Sequence, residues 1–118
     1  MDSTKQEFER RAGICWFKES QWQRLLEIAE DKARLEDTYQ QWKQTTEEMI
    51  EVFATRGILI EKVPVDVEDL LSWCNEHNKP VNGSSRAEYV TQQMMQERRQ
   101  ARLAAAQSMR LPASAALH

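Results

Sequence analysis

The chain has few of the residues that sharp turns and ligand loops are made from. It contains three glycines, three prolines, two cysteines and two histidines in 118 residues. Three glycines exclude a Gly-rich loop that cradles phosphates, and neither GxxxxGK[ST], GxGxxG nor HExxH occurs. Two cysteines, Cys15 and Cys74, cannot build the disulfide framework of a small secreted scaffold. No apolar run approaches the roughly 18 residues of a membrane span, and residues 1–11 lack the apolar core of a signal peptide. The expectation is a cytoplasmic protein with reduced thiols and no membrane association.

What is present fits one small domain. Apolar residues make up 41% and charged residues 30%, the balance of a globular chain. Sixteen basic against nineteen acidic residues give a net charge of −3, which argues against a strongly basic nucleic-acid binder. We expect a polar lead-in over 1–12, one globular domain over 13–96, and a helical extension with a mobile tail over 97–118.

Periodicity supplies the elements. Ile14-Cys15-Trp16-Phe17 is a short apolar run suited to a buried strand. Ser20 and Gln23 form a capping-box pattern before Trp22, Leu25, Leu26, Ala29 and Ala33, which share one helical face. Asp37 with Gln40 repeats that pattern ahead of Tyr39, Trp42, Thr46, Met49, Ile50 and Phe53, and Gly57 suits the left-handed position past a helix end. Ile58 to Val65 reads as a strand, with Pro64 at its end or on an edge. Asp66 caps a third helix bearing Val67, Leu70, Leu71 and Cys74. Asn82-Gly83 marks a turn, and Ser85 with Glu88 opens a fourth helix that runs to about Ser108, with Leu111-Pro112 as its stop. The predicted fold class is α+β, predominantly α: order β-α-α-β-α-α, about four helices packed on a short two-stranded sheet.

The order of Ile14-Cys15-Trp16-Phe17, Asp37 to Trp42, Val63-Pro64-Val65-Asp66, Ser72-Trp73-Cys74 and Ser85 to Val90 resembles a group of short uncharacterised bacterial proteins, over roughly Gly13 to Met95. That resemblance implies a bacterial origin and carries no chemistry. The strand, helix, turn and capped helix over 58–96 are also similar to the ribbon-helix-helix module of bacterial repressors, in which two chains pair strands into an antiparallel ribbon. This chain departs from it in the apolar Ile58-Leu59-Ile60 and in the 57 residues that precede the strand.

Catalytic and metal signals are thin. Cys74 and His77 stand at i, i+3, a spacing that can hold a metal or mimic a Cys-His pair, with Cys15 as a third candidate ligand. Zinc usually takes four ligands, and a reactive thiolate needs an electropositive, partly exposed setting, whereas Cys74 lies on an apolar stripe near Asp69 and Glu76. Glu30-Asp31, Glu47-Glu48 and Glu68-Asp69 read as solvated helix faces. We therefore expect no enzyme, no cofactor and no metal. Trp16, Trp22, Trp42 and Trp73 fall on or beside apolar faces and read as core. From Arg86 onward, five arginines and two glutamates give a local balance of +3, leaving −6 upstream. Arg86, Arg98, Arg99 and Arg102 are accordingly the candidate contacts for a partner or nucleic acid. The expected function is a non-enzymatic protein-interaction or accessory module, binding a protein partner or forming a weak homodimer. The alternative is a DNA-binding regulator of ribbon-helix-helix type using 58–96.

Overall fold

A computed structural model describes residues 10–116, with side chains to Ser108. Strand β1 spans Arg10–Trp16 and β2 spans Ile58–Pro64, and they pair in parallel with Arg10 opposite Ile58 and Trp16 opposite Pro64. The crossover between them contains α1 (Trp22–Ile28) and α2 (Tyr39–Thr55); α3 (Val67–Glu76) and α4 (Gly83–Ala116) follow β2. The expected α+β class, the β-α-α-β-α-α order and the two-stranded sheet are all present.

The sheet lies between two helices. Trp16 and Lys62 face α2, where Trp16 lies 4.8 Å from Trp42 and Lys62 bonds Glu47 at 3.1 Å. Cys15, Gly13 and Val63 face α4: the Cys15 thiol donates to the Arg86 carbonyl, and a Cβ on Gly13 would collide with Met94 Sδ and Val90 Cγ1. A lone pair of strands is marginal in water, so burial by α2 and α4 is what holds this one.

Trp42 is the hub of the core. Its ring lies 4.8 Å from Trp16, 5.2 Å from Trp22, 5.4 Å from Tyr39 and 5.6 Å from Phe17. Leu25, Val67, Leu70, Cys74 and Val90 complete the interior. Polar tips are satisfied at the rim: Trp22 Nε1 donates to the Glu36 carbonyl at 3.2 Å and Tyr39 Oη to the Phe17 carbonyl at 2.9 Å. Trp73 stands apart, half-buried, stacked on His77 at 4.4 Å and donating to Gln92.

Helix ends follow local chemistry, with four departures from the sequence reading. The first helix is a single stretch of seven residues after a 3-10 turn at Glu19–Gln21, and no Ser20 side-chain cap forms. It stops at Ala29 because the next amide, Glu30 N, bonds the Val81 carbonyl at 2.7 Å, which turns the chain towards α4 and leaves Ala33 exposed. The second helix is capped by Thr38, not Asp37: Thr38 and Gln41 exchange reciprocal bonds of 3.2 Å. The fourth starts at Gly83, ahead of Ser85, since Asn82 caps it: its Oδ1 accepts from Ser85 N at 3.1 Å and its backbone N–H donates to Ser85 Oγ at 2.9 Å. Its backbone stays helical past Pro112 to Ala116; nothing in the structure explains why the proline fails to end it.

Three further helix ends rest on single residues, the first two as expected. Gly57 adopts φ 81°, the left-handed position that glycine fills without a Cβ clash. Asp66 accepts from Glu68 N and Asp69 N. Asn78, φ 55°, closes α3 with Lys79 N on the Cys74 carbonyl at 2.8 Å.

The lower half of α2 is less enclosed than its stripe suggests. Met49, Ile50, Phe53 and Ile58-Leu59-Ile60 are half-buried, not core. The neighbouring residues of β1, Arg10 to Ala12, are themselves exposed.

Candidate interaction surface

The two halves of α4 have different surroundings. From Gly83 to Met94 the helix packs on β1 and α3, burying Ser85, Tyr89 and Val90. From Met95 to Ser108 every residue is exposed. At 1.5 Å per residue, the stretch from Met95 to Ala116 is about 33 Å long. It carries Met95 at 62% exposure and Leu103 at 56%. Arg99 and Arg102 lie with these two apolar residues on one side; Arg98 also borders a cleft of about 260 Å³ shared with Glu61, Lys62 and Met94.

The four candidate arginines are therefore not one patch. Arg86 precedes Arg98 by about 18 Å of helix rise. Its guanidinium is committed to Asp31, with side chains 14% and 19% exposed. The hydrogen bonds from Arg86 hold the Asp31 carboxyl below the usual carboxylate range, against an opposing effect of burial. Arg86 ties α4 to the end of α1, whereas Arg98, Arg99 and Arg102 form no ion pair among the described residues.

Cys74 and His77 do not converge. Cys74 is fully buried, while His77 is exposed and its Nδ1 lies 2.8 Å from the Trp73 carbonyl. Cys15 is 5% exposed, and burial pushes its thiol up to about 12. Such a thiol is neutral at physiological pH and a poor nucleophile or ligand. Of the adjacent carboxylate pairs, Glu47 bonds Lys62, Glu68 bonds Arg24 and Asp31 bonds Arg86. No group of three or more His, Cys, Asp or Glu able to hold a metal occurs among the described residues. None of their helices is long and apolar enough to cross a membrane.

A second feature could not be read from spacing. A cavity of about 320 Å³ opens beside β1, floored by Gly13, Ile14 and Cys15 and walled by Leu25, Leu35, Ala87 and Val90. The only sequence signal for it was Gly13, since glycine inside a strand marks a close approach of another backbone or side chain. The chain matches no family model, no curated protein and no solved structure.

Proposed function

We propose that this chain is a non-enzymatic, cytoplasmic interaction module of bacterial type that binds a protein through the projecting half of α4. The single observation that carries this reading is the unbroken exposure from Met95 to Ser108, with two bulky apolar residues set among three arginines. An isolated helix of this length is marginal in water, so a docked partner supplies what the domain does not. Aromatic, Met and Arg residues are also favoured at interface cores. The partner is a protein or a second copy of the chain.

The DNA-binding alternative over 58–96 has weaker support. A ribbon needs β2 free to pair with its copy, and here β2 gives one flank to β1 and its faces to α2 and α4. The test is light scattering and sedimentation of the full chain and of a chain ending at Gln96, with a duplex-DNA titration at 50 and 200 mM salt. Concentration-dependent association that truncation abolishes supports the reading. A full chain that stays monomeric to millimolar concentration, and is no less stable when truncated, overturns it in its homodimer form. A shift with duplex that weakens steeply with salt would favour the DNA alternative.

A further inference from the structure

The two free edges of the sheet are not equivalent. In a parallel ladder, alternate residues turn both backbone groups towards the neighbour strand. Arg10 N bonds the Gly57 carbonyl and Val65 N bonds the Trp16 carbonyl. The even-numbered residues of β1 therefore face β2, and Arg11, Gly13 and Cys15 turn their N–H and C=O groups outward. By the same parity, the outward groups of β2 belong to Ile58, Ile60, Lys62 and Pro64. That edge is guarded, because Pro64 has no N–H and Lys62 is a charge that discourages pairing.

The β1 edge has no such guard. Its outward groups at Gly13 and Cys15 open into the 320 Å³ cavity, with Leu25 and Leu35 on one side and Ala87 and Val90 on the other. Among the described residues no other backbone bonds them, and the side-chain partner at hand is the Cys15 thiol against its own backbone. Backbone polar groups this enclosed ordinarily find a partner. The free groups recur every second residue, about 6.6 Å apart, a repeat that only another extended backbone matches. The walls rise on both sides of the edge, so a single strand can enter and the sheet of a second copy cannot. The one charged residue of its lining, Arg86, is already held by Asp31, so the groove is apolar in character.

We infer that the β1 edge is a docking site for an extended peptide of a partner protein, added as a third strand, with apolar side chains at alternate positions. Main-chain bonds to Gly13 and Cys15 supply affinity, and the apolar walls supply specificity. This surface is separate from the projecting half of α4 and adds to the interaction reading without depending on it.

The test uses a random heptapeptide display library panned against the full chain, followed by anisotropy titration of a selected synthetic peptide. The expected winners alternate apolar residues. N-methylation of one alternate set of peptide amides should weaken binding at least tenfold, while methylation of the other set spares it. Ala87→Trp, which fills the groove from an exposed helix position, should do the same, and the exposed-site control Val52→Ser should not. Binding should survive truncation after Gln96, which separates this site from that on α4. In the peptide-free protein, the Gly13 and Cys15 amides should exchange with solvent at least tenfold faster than those of Ala12 and Ile14, and slow when peptide is added. Three results overturn the proposal: no peptide is selected; selected peptides ignore both the methylation pattern and Ala87→Trp; or the Gly13 and Cys15 amides are already as protected as their neighbours.

Discussion

Arg86 donates both terminal guanidinium nitrogens to the two carboxylate oxygens of Asp31, at 3.1 and 2.7 Å, joining the first turn of α4 to the chain just after α1. The pair is largely shielded, so removing one partner strands the other. Asp31→Asn should cost about 2 kcal/mol in urea unfolding at pH 7, less than a fully buried pair would. Because the folded carboxyl is held below its unfolded value, this stability is present above about pH 4 and is lost as pH falls through the folded value. The difference between wild type and variant should therefore shrink as pH falls below about 4 and through the folded value of the carboxyl. A constant difference over that range would show that the charge of Asp31 is not what matters.

Trp42 and Phe53 share a stripe on α2 and should differ sharply when truncated. Trp42→Ala removes the ring that four other aromatics contact and should cost about 3–5 kcal/mol. Phe53 is half-buried, so Phe53→Ala should cost about 1–2 kcal/mol. Denaturant midpoints for the two variants decide this, and equal costs would mean that the lower end of α2 is covered.

The reason the sequence over-read Phe53 is instructive. Helical periodicity reports which side of a helix is apolar, not how far the covering element extends. Trp42, Leu25, Leu70 and Cys74 were legible as core because each has cover along its full stripe. Met49, Ile50 and Phe53 looked identical in pattern, but the fold leaves them half-buried. Caps were legible to within one to three residues, since Asp37–Gln40 and Thr38–Gln41 satisfy the same pattern and only the structure chooses between them. The Asp31–Arg86 pair and the open β1 edge left no local trace. One joins residues 55 apart, and the other depends on the parity of a parallel ladder.

Gly13 should resist substitution. A methyl group there meets Met94 Sδ, which can swing away, and Val90 Cγ1, which is stiff and buried. Gly13→Ala should destabilise by about 1–3 kcal/mol, and Gly13→Ala with Met94→Ala should recover part of the loss. If the double variant is less stable than the sum of the two single changes, the collision is elsewhere.

The thiols should be slow to react and should set a limit at alkaline pH. Labelling of Cys15 and Cys74 in native protein at pH 8 should proceed at the rate of unfolding, and fast labelling of either would show an open path to it. The Cys15 thiol is raised from 9.0 to about 12 by burial, so the unfolded chain loses this proton first. Its stabilising effect is full below about pH 9 and declines as pH rises towards 12, and Cys15→Ala should flatten that decline.

The parallel pairing of β1 with β2 also imposes an order of assembly. β1 leaves the ribosome well before its hydrogen-bonding partner, which begins at Ile58. Until that residue emerges, Arg10 to Trp16 has no ladder to join, and the intervening helices must form and close the loop first. α2, with its own cap at both ends, is the element able to form early and present Trp42 to the waiting strand. Changes that weaken the Thr38 cap should therefore slow folding by nearly their whole cost in stability and leave the unfolding rate almost unchanged.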